Sequence, residues 1–231
     1  RGIGRAVAVY LLEQGYHIIA VARSEKDLHE LTIGNEERVK YIVCDFSDLS
    51  NIANIFRTLK GWQVILSGAV YCAGVSTSEP IRIIDTDAMQ RDMNINVLAF
   101  VEMGKYFSKK QYMYEGSGIV AMSSMSAWDK TKGMCTYSMS KAALNTAVET
   151  MAKEFLKRKI RVNAVLPAYV NTAMTIKSDT TDTQLNTMQE NQPLGIIEPE
   201  YIAYFVEFLL SEKAKYMTGG LIPVSGGRTE K

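Results

Sequence analysis

From end to end the chain alternates short apolar runs with longer segments whose apolar residues recur at helical spacing. The runs at 16–22, 39–44, 69–72, 118–123, 161–166 and 221–224 have the length and composition of strands buried on both faces. Between them the spacing predicts helices at 1–14 (stopped at Gly15), 25–31, 48–59, 87–110, 138–158 and 198–211. Residues 173–192 are polar, rich in threonine and without a clear period. Alternation of this kind, with no internal repeat and no linker, predicts an α/β fold: a doubly wound parallel sheet in three α/β/α layers, one domain over 1–231. In such sheets ligands bind beyond the carboxyl ends of the strands, so the loops after Ala22, Cys44, Cys72, Ser123 and Leu166 should share one rim.

Composition closes off several other readings. Apolar residues make up 47% and charged residues 22%, ordinary for a globular protein, and a formal charge of +1 gives no electrostatic reason to expect nucleic acid or an acidic membrane surface. No apolar run is long enough to span a bilayer, and no signal peptide is visible. Cys44, Cys72 and Cys135 are odd in number and widely spaced, which suits reduced thiols in a cytoplasmic protein. The two histidines, His17 and His29, have no acidic or sulfur cluster beside them, arguing against a metal site and against a Ser-His-Asp triad.

The chemistry of the chain gathers between Ser124 and Lys141. Tyr137 and Lys141 are four apart on a predicted helix, hence on one face. A free tyrosine ionises near pH ~10, too high for a proton shuttle at neutrality. A fixed ammonium about 4 Å away is worth roughly 4 kcal/mol at an effective dielectric of about 20, or up to about 3 pKa units before desolvation opposes it. On this reading Lys141 lowers the Tyr137 pKa toward the working pH of a general acid, while Ser124 hydrogen-bonds the same substrate oxygen. A lone Tyr-x-x-x-Lys is common on helices, so the assignment depends on its surroundings.

Those surroundings point to a dinucleotide. Gly2-Ile3-Gly4 opens a helix, where a backbone can approach a pyrophosphate closely and the helix N-terminus favours negative charge. At the end of the following strand a carboxylate would select NAD; here Ala22 is followed by Arg23 and Ser24, a set suited to the extra phosphate of NADP(H), with Arg1 able to join it.

With these residues in place, the chain resembles the short-chain dehydrogenase/reductase family over essentially its whole length. Arg1-Gly2-Ile3-Gly4 resembles the end of the family's Thr-Gly-x-x-x-Gly-x-Gly loop, and Asp45 the aspartate that contacts adenine. Asn96, Ser124, Tyr137 and Lys141 match the catalytic tetrad, in family order. Arg161 through Ala168 resembles the Pro-Gly segment beside the nicotinamide, and Thr172 the threonine that holds its carboxamide. The resemblance implies a Rossmann-type NAD(P)-binding domain with a cofactor site formed by Arg1, Gly2, Ile3, Gly4, Arg23, Ser24, Asp45, Phe46, Ala73, Gly74, Tyr137, Lys141, Pro167, Val170 and Thr172. It further implies that Lys141 holds the nicotinamide ribose, that Asn96 anchors a water relaying protons to the lysine, that 173–197 covers substrate, and that the protein is a homo-oligomer, dimer or tetramer.

Three departures stand out. The family's Asn-Asn-Ala-Gly is Tyr71-Cys72-Ala73-Gly74, and its Pro-Gly is Pro167-Ala168. The first strand and the opening Thr-Gly of the phosphate loop are absent from the sequence, which should leave a trench in the sheet and implies residues upstream of Arg1. The expected activity is NADP(H)-dependent hydride transfer between nicotinamide and a carbonyl or secondary alcohol. The leading specific expectation is a 3-oxoacyl-acyl-carrier-protein reductase; a sugar, polyol or small-ketone reductase is the alternative within the family, and a non-catalytic dinucleotide-binding redox sensor the alternative outside it.

Overall fold

A computed structural model describes residues 1–176, 178 and 180–228. Of the expected covering segment 173–197, Lys177 and Asp179 lie outside the described residues. In chain order the main elements are α1 (Gly2–Glu13), β1 (Ile18–Ala22), α2 (Glu25–Thr32), β2 (Val39–Val43), α3 (Ile52–Gly61), β3 (Leu66–Tyr71) and α4 (Thr86–Met93). They continue as α5 (Ala99–Phe107), β4 (Met113–Met122), α6 (Ser126–Asp129), α7 (Cys135–Glu154), β5 (Arg161–Pro167), α8 (Asp182–Asn191), α9 (Pro199–Leu210) and β6 (Leu221–Val224). All strand pairings are parallel, as the alternation requires.

The period-2 geometry of the central strands builds the three layers. Ile119 and Ala121 of β4, with Val162, Ala164 and Leu166 of β5, face a core shared with Phe56, Phe100, Leu144 and Val148 of α3, α5 and α7. Their neighbours Val120, Met122 and Val165 face the opposite core, closed by Val7 and Leu11 of α1 and Ile202 and Val206 of α9. Arg161, the first residue of β5, is buried and donates to the carbonyls of Leu209, Leu210, Ser211 and Ala214, satisfying the end of α9 from the sheet.

The sheet is in two pieces, β1–β2 and β3–β4–β5–β6. Among the described residues no strand lies between β1 and β3, so each has an inner edge without a strand partner. A cavity of about 1810 Å³ runs along this slot, bounded by 18–22 on one side and 64–70 on the other, and continues into the cleft at the carboxyl ends of the strands. Its volume therefore belongs to slot and cleft together.

Several elements differ from the sequence reading. The single helix expected over 87–110 is α4 and α5 joined by a π-helical segment, Asn94–Leu98. The helix expected from 138 begins at Cys135, placing Tyr137 inside its first turn. Within the polar stretch, α8 is closed at its start by a capping box between Thr181 and Gln184.

Candidate active site

Ser124 follows β4 directly, in a loop fastened to β5: Ser123 N–H donates to Val165 O at 2.8 Å and Met125 N–H to Pro167 O at 3.0 Å. The loop is thereby fixed to the rim of the sheet, and the Ser124 hydroxyl accepts from Ser126 N–H at 3.1 Å. Tyr137 and Lys141 project from α7 onto the same rim, and all three residues line the cleft with Gly74, Pro167 and Thr172. The Lys141 ammonium is buried, donates to Met122 O at 2.8 Å and lies 5.7 Å from the centre of the Tyr137 ring.

This geometry corrects the expected electrostatics. Burial pushes the Tyr137 phenol above its ordinary value, and the only opposing influence is its hydrogen bond with Ser124. Lys141 adds no lowering here: its ammonium is bonded to the Met122 carbonyl, 5.7 Å from the centre of the ring. Desolvation brings Lys141 itself down from 10.5 to about 8. The pair is thus a protonated phenol beside an amine that titrates near neutrality.

Asn96 is fully buried in the π segment, where its side chain clamps the loop after β3. Its Oδ1 accepts from Val75 N–H at 2.8 Å, and its Nδ2 donates to Val75 O and to the Ser140 hydroxyl, both at 2.9 Å. Both amide protons are committed to the protein, so any water at this residue would have to be held by other atoms. Ser140 in turn donates to Tyr137 O at 2.7 Å. The sequence reading missed Ser140; its signal was available, since it sits three residues after Tyr137 on the same helix.

The remaining cofactor candidates fall into two groups. Gly2, Gly4 and Gly74 form a close-fitting floor. Gly2 has φ +54°; a Cβ on Gly4 would lie 3.2 Å from Cys72 Cβ, and one on Gly74 would lie 3.3 Å from Lys141 Nζ. Ile3, Ala73, Pro167, Val170 and Thr172 border the same cleft, Val170 being buried. Phe46 lines the cleft and turns its ring into the core against Tyr71, 5.7 Å between centroids. The Asp45 carboxylate accepts from Ser47 N–H at 2.9 Å; that bond holds its pKa down, and Arg23 adds to the effect. Arg1 pairs with Asp27 at 3.4 Å, and the Ser24 hydroxyl caps α2 by accepting from Asp27 N–H. These residues present a helix N-terminus and two exposed guanidinium groups at one end of the cleft, and the tight glycine floor fits an elongated dinucleotide. Cys72 lies under Gly4, and burial pushes its thiol up to about 12.

Comparison with known proteins gives the family. A family model described as enoyl-(acyl carrier protein) reductase matches residues 1–229. The chain belongs to the short-chain dehydrogenase/reductase family. Among its relatives, carbonyl reductase family member 4 of Xenopus laevis is 30% identical, over 98% of this chain and 93% of that protein. The human 3-oxoacyl-[acyl-carrier-protein] reductase is 29% identical over the same shares. The solved structure of 4-hydroxyisoleucine dehydrogenase complexed with NADH superposes with a TM-score of 0.90 at 26% identity, covering 98% of this chain and 93% of that one. Membership makes the chain an oxidoreductase acting on CH–OH or C=O groups with a nicotinamide dinucleotide. No helix among the described residues is long and apolar enough to cross a membrane.

Proposed function

We propose that this short-chain dehydrogenase/reductase is an NADP(H)-dependent carbonyl reductase whose substrate is a 3-oxoacyl chain carried as a thioester, with Asn96, Ser124, Tyr137 and Lys141 as its catalytic set. The observation that carries the reading is the meeting of the Ser124 hydroxyl, Tyr137 phenol and Lys141 ammonium on one wall of the glycine-floored cleft. The acyl substrate is supported by the human relative. A preference for NADP(H) is supported by Ala22 at the end of β1, which offers no carboxylate, and by Arg1, Arg23 and Ser24 beyond it.

A bound reduced nicotinamide supplies hydride to the carbonyl carbon. Tyr137 gives its proton to the carbonyl oxygen as negative charge gathers there, and burial keeps that proton in place at neutral pH. Ser124 steadies the oxygen through its hydroxyl. Lys141, at about 8, carries a proton below that pH and stands beside the phenol to restore the one it gives up. Asn96 holds Val75 and, through Ser140, the backbone of Tyr137, which fixes the acid relative to the cleft.

The segment 173–197, including α8, covers the substrate in this proposal. Assembly as a dimer or tetramer through α5 and α7 belongs to it as well, supported by exposed Val101 and Met139. So does a cytoplasmic location, in keeping with three free cysteines. The test is oxidation of NADPH and NADH in parallel against a 3-oxoacyl thioester, a ketose and a small diketone. Faster turnover of the thioester with NADPH is expected. Ketose turnover alone would replace the substrate, and cofactor binding without any turnover would replace catalysis with sensing.

A further inference from the structure

Where the family carries the first asparagine of its Asn-Asn-Ala-Gly motif, this chain has Tyr71, the last residue of β3. Its ring is buried between Phe46 and Phe100, at 5.7 and 5.4 Å between centroids, and its hydroxyl donates to the carbonyl of Ile95. Ile95 belongs to the π segment. In a regular α-helix the N–H of Ala99 would bond the carbonyl four residues back, that of Ile95. Here Ala99 N–H bonds Asn94 O instead, five residues back. The widened turn takes that donor from a buried carbonyl, and the Tyr71 hydroxyl replaces it.

The next residue is Asn96. The extra residue in the turn rotates everything after it relative to α4, by about 100° in helical terms, and so sets which way Asn96 faces. Asn96 faces Val75 and Ser140, and Ser140 is bonded to Tyr137 O. A continuous line of bonds therefore runs from the end of β3, through the π segment, to the helix turn that carries the phenol.

We propose that Tyr71 is a positioning residue for catalysis: its hydroxyl holds the π turn open and thereby sets Asn96 and, through Ser140, Tyr137. This rests on Tyr137 being the proton donor. Tyr71→Phe keeps the ring between Phe46 and Phe100 and removes only the hydroxyl. The expected result is a fall in kcat of about tenfold, from slight misplacement of the acid, with KM for NADPH unchanged. Amide hydrogen exchange should quicken across 94–99 and not in β4 or β5. In a double-mutant cycle, Ser140→Ala should cost much less in the Tyr71→Phe background than alone, because both act along one line.

A Tyr71→Phe enzyme with kcat within twofold of wild type, or strictly multiplicative losses in the cycle, would overturn the proposal. If Tyr71→Phe does not fold, Tyr71→4-aminophenylalanine, which keeps a donor at that place, takes over: near-wild-type kcat supports the proposal and a tenfold loss overturns it. Tyr137→Phe is assayed alongside. Retained turnover there would remove the proton-donor reading itself, whereas a dead Tyr137→Phe beside an unaffected Tyr71→Phe removes only the role given to Tyr71.

Discussion

Lys141→Met should separate what the site costs from what it does. Folding buries the ammonium, and desolvation lowers its pKa from 10.5 to about 8. At about 1.4 kcal/mol per unit, that is a penalty of about 3 kcal/mol while the group is charged. Between about 8 and 10.5 the unfolded chain binds the proton that the folded chain has lost, so the stability of the wild type rises with pH through that window; below about 8 the whole penalty is present. Methionine has no such dependence. It also forfeits the bond to Met122 O, worth about 1–3 kcal/mol, so at neutral pH the variant should equal or exceed the wild type in stability. The decisive quantity is the change with pH. From pH ~7 to ~9.5 the wild type should gain about 2 kcal/mol on Lys141→Met in urea unfolding, other titrations cancelling between the two proteins. Cys72 stays neutral throughout, its thiol being pushed up to about 12. A stability difference that does not move with pH would refute the reasoning, because it would mean that the amine pays no desolvation cost.

Two further outcomes follow from neighbouring contacts. Ser124→Ala should let the Tyr137 pKa rise further, since the hydroxyl is its only opposing influence, and should lower kcat by about 10²–10³-fold with little change in melting temperature; steady-state kinetics across pH checks both. Arg161→Ala should orphan the carbonyls of Leu209, Leu210, Ser211 and Ala214 and cost about 3 kcal/mol, measured by urea unfolding at neutral pH, with KM for NADPH unchanged.

The parts of the fold that rest on residue type and spacing were legible in the sequence. The parts that rest on one backbone bond or one side-chain direction were not. Residues of both β4 and β5 alternate between two buried faces, and apolar runs bounded by polar turns announce such strands. Tyr137 and Lys141 four apart, after a serine at a strand end, likewise brought the reactive groups to one rim. The π segment was hidden because 87–110 has an adequate helical pattern throughout, and a single inserted residue alters that pattern too little to see. Spacing put the Lys141 ammonium near Tyr137 but could not show that it would take the Met122 carbonyl and leave the phenol to Ser124. The helix α8 could have been found: Thr181 followed three residues later by Gln184 is a start signal even where apolar periodicity is weak.

The proposed function assigns catalysis to a half-buried phenol that keeps its proton until the substrate oxygen needs it. The most direct measurement is single-turnover NADPH oxidation by Tyr137→Phe, paired with calorimetric titration of NADPH into the same protein. The account predicts a rate lower by at least about 10³-fold with NADPH affinity within about threefold of wild type. A rate within tenfold of wild type, at unchanged affinity, would contradict it.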